Sequence, residues 1–538
     1  MKPHDCRKVS VRERSAVRSV VTISKVTVFS IDTAVAVMVE ADALFLDPDK
    51  RSVARYEQAM ERAQAAVIEA LVDRNDVYSG ASPAELRATF EDIEPMPDEG
   101  EGIESALETV CETVLEHAVR FHDPKYLAHL NCAPGIPGIA ADAIVAAMNQ
   151  NHASWDLGPS VDVLEEAMID ELRCRFGYPD GAAGVFTSGG TQANFMGIFL
   201  ARGWYADEHF DVDVQAEGLP RVAEDFRILR SAAGHPTIDE AAAKLGLGEQ
   251  AVVDVPTDDQ YRLDVEAAEA ILEELEADGR HPIALAATAG TTDFGSIDPL
   301  SELADLADEY DCWFHVDAAY GGALAMSDRH RDLLAGIERA DSLTVDFHKF
   351  LFQPVSCGAF LVRDEQMYQY LGHEAEYLNP ERDSVPHRTE KSVQWSRRAD
   401  VLKPFVTFRA VGREDVGAMV DRVIGLVDRV ARCVGDDPDF DLINESELTT
   451  VVFRYCPTQT PEGMPARDWA NQVNDRIREI ALDEGETIVA RTEHQGTTYL
   501  KFTILNPKTT VEDVETVLDL IREYGDRAER ELASIMAE

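Results

Sequence analysis

The sequence predicts an α/β protein, with a large domain on a mostly parallel seven-stranded sheet and a smaller C-terminal α+β domain. Three observations carry that prediction. Seven short apolar runs lie between about Gly184 and Asp364: "GVFTSG", "FRILRSAA", "AVVDVP", "IALAATAG", "CWFHVDAAY", "SLTVDFHK" and "GAFLVRD". Amphipathic stretches such as "DVEAAEAILEELEADG" stand between them. The runs are apolar nearly throughout rather than alternating, as strands covered on both faces are. Ligands of such sheets bind beyond the carboxyl ends of the strands.

The remaining elements follow in order. Residues 1–37 are basic and acid-poor, and Lys25 and Asp32 interrupt any signal-like apolar core. They read as a non-functional extension, with Met38 opening the functional chain. Residues 38–150 are helical: "ARYEQAMERAQAAVIEALVD" repeats apolar residues at three- and four-residue spacing. Pro-rich, acidic "EDIEPMPDEGEG" separates two of these helices. The large domain spans residues 151–405. Residues 406–538 form the small one, from the helix "GREDVGAMVDRVIGLVDRVARCV" through "LTTVVFRYC", "ETIVARTE" and "TTYLKFTILNP" to a last helix near Thr510.

Composition narrows the function. The 538 residues carry 100 Asp+Glu against 50 Lys+Arg, a formal net charge of −50. Such a surface repels nucleic acid and anionic membrane, which excludes both as partners. It resembles the surfaces of proteins from salt-accumulating halophiles, where high ionic strength screens self-repulsion. The eight cysteines are scattered and form no Cys-x-x-Cys pair, so reduced thiols and a cytoplasmic location are expected, with no metal. The N-terminal run "TAVAVMV" falls far short of the roughly 20 residues a membrane helix needs.

Lysine is scarce, 11 against 39 Arg, yet Lys349 stands among apolar residues in "VDFHKFLFQPVSCGAF". A lysine at a buried strand end needs a partner or a covalent use, and Schiff-base formation is such a use. "GVFTSGGTQANFMG" runs through Ser188, Gly189, Gly190 and Thr191 into a helix. Small residues there let backbone N–H groups meet an anion at a helix N-terminus, although many tight turns look the same. Asp317 ends the run "CWFHVDA" and serves as a partner for a protonated ring nitrogen or, equally, as a helix cap. His235 in "SAAGHPT" follows another strand and serves as a structural histidine or as a ring cover. Together these are the parts of a pyridoxal phosphate site.

From about Asp47 to the C-terminus the chain resembles the group II pyridoxal-phosphate-dependent amino acid decarboxylases. "TSGGTQANFMGIFLAR", "HPTIDEAAAKLGLGEQAVVDVPTD", "ATAGTTDFGSIDPL", "FHVDAAYGGAL" and "VDFHKFLFQPVSCGAFLVRD" carry the likeness. The resemblance implies a fold-type-I (aspartate aminotransferase-like) architecture and a homodimer with sites at the subunit interface, to which the N-terminal helices contribute. It implies that Lys349 binds the cofactor covalently, Asp317 pairs with its ring nitrogen and His235 stacks on the ring. Ser188 to Thr191 and His348 would surround the phosphate, with Thr288 and Ala319 near the ring.

Within the family, "AHLNCAPGIPGIAADAIVAAMNQNHASWD", "HKFLFQPVSCGAFLV", "EYLNPERDSVP" and "LKFTILNP" resemble the members acting on L-2,4-diaminobutyrate. The product would be 1,3-diaminopropane, a diamine suited to siderophore synthesis or polyamine supply. Lysine, ornithine, glutamate and aromatic amino acids are the alternatives inside the family. A cationic substrate side chain calls for an acid, and Asp156, beside Trp155, is the candidate, with a structural cap as its other reading. His129 and Asn131 stand where relatives line the substrate cavity. Lys501 replaces an arginine that faces the substrate carboxylate in relatives. The stretch "NPERDSVPHRTEKSVQW" lacks the tyrosine that relatives use to protonate the carbon after CO2 loss, which leaves His235 or a loop residue. Asp346 would face a phosphate, so it is expected to point away. An aminotransferase would share Lys349 and Asp317 but needs a grip on an oxo acid. A non-catalytic binding protein, the reading from another class, leaves their convergence unexplained.

Overall fold

The computed structural model describes residues 44–72, 75–372, 385 and 388–537. The extension 1–37 and the opening of "NPERDSVPHRTEKSVQW" lie outside the described residues.

Seven strands form the central sheet: β1 (Ala183–Thr187), β2 (Phe226–Ser231), β3 (Val252–Val255), β4 (His281–Thr288), β5 (Trp313–Ala318), β6 (Ser342–Asp346) and β7 (Gly358–Val362). Their order is β1-β7-β6-β5-β4-β2-β3. The pairings β2–β3, β2–β4, β4–β5 and β5–β6 are parallel, and β7 runs antiparallel to both β6 and β1. One reversed strand therefore leaves the carboxyl ends of β1, β2, β4, β5 and β6 on the same edge.

The apolar runs are buried on both faces because side chains alternate across a strand. One face, with Leu285, Phe314, Val316 and Val345, packs against the helices Val265–Ala277 and Leu300–Glu309. The other, with Val185, Ala284, Ala286, Trp313 and Phe360, packs against Gly190–Phe210 and Thr237–Lys244. Asp264 caps the first of these helices by accepting from Ala267 N–H, one of its orphan donors.

The C-terminal part carries a smaller antiparallel sheet of β8 (Phe440–Leu442), β9 (Thr450–Tyr455), β10 (Ala490–His494) and β11 (Thr497–Thr503), in the order β10-β11-β9-β8. Its apolar side is covered by Ala466–Glu484 and Val511–Ala537, and its core is continuous with one face of the large sheet. The buried Tyr320 hydroxyl joins Thr449 across the two units. Among the described residues no helix is long and apolar enough to cross a membrane.

Candidate active site

A cavity of about 310 Å³ opens at the carboxyl edge of the large sheet. Strand ends and the turns after them supply its walls. The turn after β1 brings Ser188, Gly189, Gly190 and Thr191, and the turn after β2 brings His235. Thr288 closes β4, Asp317 and Ala319 stand at the end of β5, and His348 and Lys349 follow β6. The ten residues expected around a cofactor thus meet in one cavity.

The Ser188–Thr191 turn opens the 21-residue helix Gly190–Phe210, whose first N–H groups have no partner within the helix and favour an anion. A Cβ on Gly190 would come within 3.1 Å of Ala319 Cβ and of Asp346 Oδ2, so a larger residue here would push on the ends of β5 and β6. Asp317 is buried, and each of its oxygens has a protein donor. Ala319 N–H donates to Oδ1 at 3.1 Å and Asn194 Nδ2 to Oδ2 at 2.7 Å. A carboxylate held in this way is an acceptor for one more N–H. His235 is half-buried, and its Nδ1 accepts from Thr237 N–H at 3.3 Å, which leaves Nε2 as the ring's donor. His348 Nδ1 lies 2.8 Å from the Cys357 carbonyl.

Lys349 is where the structure departs from the sequence reading. Asp346 does not face away. Its carboxylate stands in the cavity wall, 3% exposed, with Oδ2 3.1 Å from Lys349 Nζ. The repulsion expected from a bound phosphate overlooked the ammonium three residues on, which gives the buried carboxylate its counter-charge.

The five substrate candidates do not line the cavity. Asp156 is exposed on a short 3-10 turn, Trp155–Leu157, and accepts from Ser154 Oγ at 2.5 Å. Trp155 is half-buried, and His129 and Asn131 are exposed. Partial desolvation and the nearby Lys501 charge hold the His129 imidazole below its usual range. Lys501 is buried with its ammonium 2.7 Å from Asp293 Oδ1 and 3.1 Å from the carbonyl of Thr292, a cavity residue. Sequence reasoning missed Asn194, Thr237, Gly290, Thr292 and Tyr320, which also line the cavity. Asn194 had a signal: it stands one turn beyond Gly190 on a helix that must cover the strand ends.

The residues fit pyridoxal phosphate, with small residues at a helix N-terminus, a lysine amine in the same cavity and a buried carboxylate with accepting capacity left over. Residues 83–456 match the pyridoxal-dependent decarboxylase conserved domain. The chain belongs to the pyridoxal-dependent decarboxylases. Among relatives of this family, an L-2,4-diaminobutyrate decarboxylase of Acinetobacter baumannii is 37% identical over 496 residues, which cover 90% of this chain and 96% of the relative. One of Rhizobium meliloti (strain 1021) is 38% identical over 488 residues, covering 90% and 94%. The crystal structure of the glutamate decarboxylase domain of a Vibrio parahaemolyticus diaminobutyrate-pyruvate transaminase and L-2,4-diaminobutyrate decarboxylase superposes with a TM-score of 0.82. It is 34% identical, covering 91% of this chain and 99% of that one. This pyridoxal-dependent decarboxylase therefore uses pyridoxal phosphate to remove CO2 from an amino acid.

Proposed function

We propose that the substrate is L-2,4-diaminobutyrate and the products are 1,3-diaminopropane and CO2. The observation that carries this reading is the 37–38% identity to two L-2,4-diaminobutyrate decarboxylases over 90% of the chain. Bound pyridoxal phosphate supplies an electron sink for the bond that loses CO2. In this reading the Ser188–Thr191 turn, with His348, would surround the phosphate, and the Ser188 N–H is held by Gln192 Oε1 at 2.9 Å. Lys349 would hold the cofactor covalently through its side-chain amine. Asp317 accepts the ring N–H and keeps the ring cationic. His235 would cover the ring, and its Nε2 or a loop residue would return a proton to the carbon that has lost CO2.

The working unit in this proposal is a cytoplasmic homodimer. The helix Ile136–Met148 exposes Ile136, Ile139, Ile144 and Met148, and Lys50–Val72 exposes Val67, Ile68, Leu71 and Val72. Apolar surface grouped in this way supports burial against a second copy. Trp155, Asp156, His129 and Asn131, all outside this chain's cavity, then serve the partner's, with Asp156 meeting the cationic side chain of the substrate.

The test is product analysis in molar KCl with added pyridoxal phosphate, from L-2,4-diaminobutyrate, ornithine, lysine, glutamate, aspartate, tyrosine and DOPA. Selective formation of 1,3-diaminopropane, abolished in Lys349→Ala, is the expected result. Preference for lysine or glutamate would overturn the substrate assignment while leaving the family chemistry in place.

A further inference from the structure

We infer that Asn194 and His315 are positioning residues that lock Asp317 as an acceptor toward the ring nitrogen of the cofactor. This rests on the pyridoxal phosphate reading above; Asn194 edges the cavity, His315 lies outside its lining, and both act through Asp317.

Trp313, His315 and Asp317 alternate along β5 and so share one face of the sheet. The neighbouring strand β6 sets Ser342 opposite His315 and Thr344 opposite Asp317. The Gly190–Phe210 helix covers this face. A Cβ on Gly197 would come within 2.5 Å of His315 Nδ1, so the helix lies against the imidazole. All of these polar groups are sealed from water, with His315, Ser342 and Thr344 at 0% exposure and Asn194 at 1%.

One direction of the hydrogen bonds along this chain pairs every group and leaves Asp317 an acceptor. An indole nitrogen only donates, so the Ser342 hydroxyl accepts from Trp313 Nε1 at 2.8 Å. Its single proton goes to His315 Nδ1, 2.8 Å away. Burial keeps the imidazole neutral, pushing it down to about 4. Its one proton is therefore on Nε2, which donates to Asn194 Oδ1 at 3.0 Å. Thr344 Oγ1 donates to the same oxygen at 2.7 Å. Two donors on one side fix the amide, and its nitrogen must face the other way. There it donates to Asp317 Oδ2 at 2.7 Å and to Thr237 Oγ1 at 2.9 Å. Thr237 in turn contacts His235, so one amide aligns both groups assigned to the ring. A flipped amide would set its oxygen against the Asp317 carboxylate and remove that carboxylate's side-chain donor, a costly arrangement in a buried site.

The experiment compares the full chain with Asn194→Leu and Ser342→Ala. Each protein is titrated with pyridoxal phosphate and with its deaza analogue, which has carbon in place of the ring nitrogen, and its thermal midpoint is recorded. Asn194→Leu is expected to bind pyridoxal phosphate about tenfold more weakly, the loss of one hydrogen bond to a charged group. Its affinity for the deaza analogue should stay within about twofold of wild type, because that ligand has no ring N–H. Ser342→Ala, a site beyond the cavity wall, should show the same selectivity with a loss of about threefold, transmitted through His315. Equal losses for the two ligands, or no loss for pyridoxal phosphate, would overturn the inference. If Asn194→Leu does not fold, Ser342→Ala alone decides. A wild-type chain that takes up neither ligand would overturn the cofactor reading instead.

Discussion

Asp298 has the clearest pH signature of any single residue near the site. It is 2% exposed and accepts two backbone N–H groups, those of Leu263 and of the cavity residue Thr288, each at 2.7 Å. Burial nevertheless wins and pushes its carboxyl from 3.8 up to about 7, with the two N–H groups pulling the other way. The folded chain thus holds this proton more tightly than the unfolded one. The stability it contributes is fully present below about 3.8 and is lost as pH rises through about 7. In urea titrations at fixed molar KCl, stability should fall between about pH 4 and 7, with Asp298 accounting for on the order of 1 kcal/mol per pH unit. Asp298→Asn should lose that share of the slope while being less stable at every pH, since an amide oxygen replaces only one of the two acceptors. A variant with the wild-type slope would show that the carboxyl is ionised throughout.

The Gly190–Phe210 helix joins the Ser188–Thr191 turn, the Asn194 hydrogen bonds and the sheet, and its spacing explains how. Gly190, Asn194, Gly197 and Ala201 recur every three or four residues, which is one helical face. The two glycines lie where strand side chains reach the helix backbone, Asp346 and Ala319 at one and His315 at the other. Gly197→Ala should therefore cost about 1–3 kcal/mol of stability by overpacking against a ring with no room to move. Gly425→Ala is the contrasting case, on a helix that spans Arg413–Gly435 with nothing within 4 Å of the added carbon. It should gain roughly 0.5–1 kcal/mol from helix propensity. Urea midpoints moving in the same direction for both would mean that the close approach at Gly197 does not govern its cost. The sheet was legible in the sequence because doubly covered strands are apolar on every residue, and the cavity because its residues follow the strand ends. The side chains behind that wall were less so. His315 shares a strand face with the recognised Asp317, and Asp346 was itself singled out; what each meets depends on a helix and a lysine that periodicity does not position. Lys501 is the harder case, since its counter-ion Asp293 is 208 residues away in the chain.

At the scale of the whole molecule the dominant quantity is charge. Fifty uncompensated negative charges follow from 100 acidic and 50 basic side chains. The basic ones are already committed in part: Arg339 meets Asp305 and Asp308, Arg522 meets Asp437, Asp439 and Asp519, and Arg527 meets Glu484 and Glu531. A single arginine shared among several carboxylates pins them together without balancing them, and the excess repels itself across the surface. Unfolding spreads the same charges apart, so repulsion weighs on the compact state. At 0.1 M salt the screening length is about 10 Å and at 1 M about 3 Å, shorter than the spacing of most surface carboxylates. Salt should weaken the exposed pairs as well, but those are worth little individually. The net effect expected is a thermal midpoint that climbs by several degrees between 0.1 M and 2 M KCl. Sucrose is the control, because it strengthens burial by exclusion without screening charge. A midpoint that rises with KCl and much less with sucrose assigns the effect to repulsion. A flat KCl series would mean that the shared-arginine networks already neutralise the surface where it matters, and the halophile-like composition would then carry no energetic consequence.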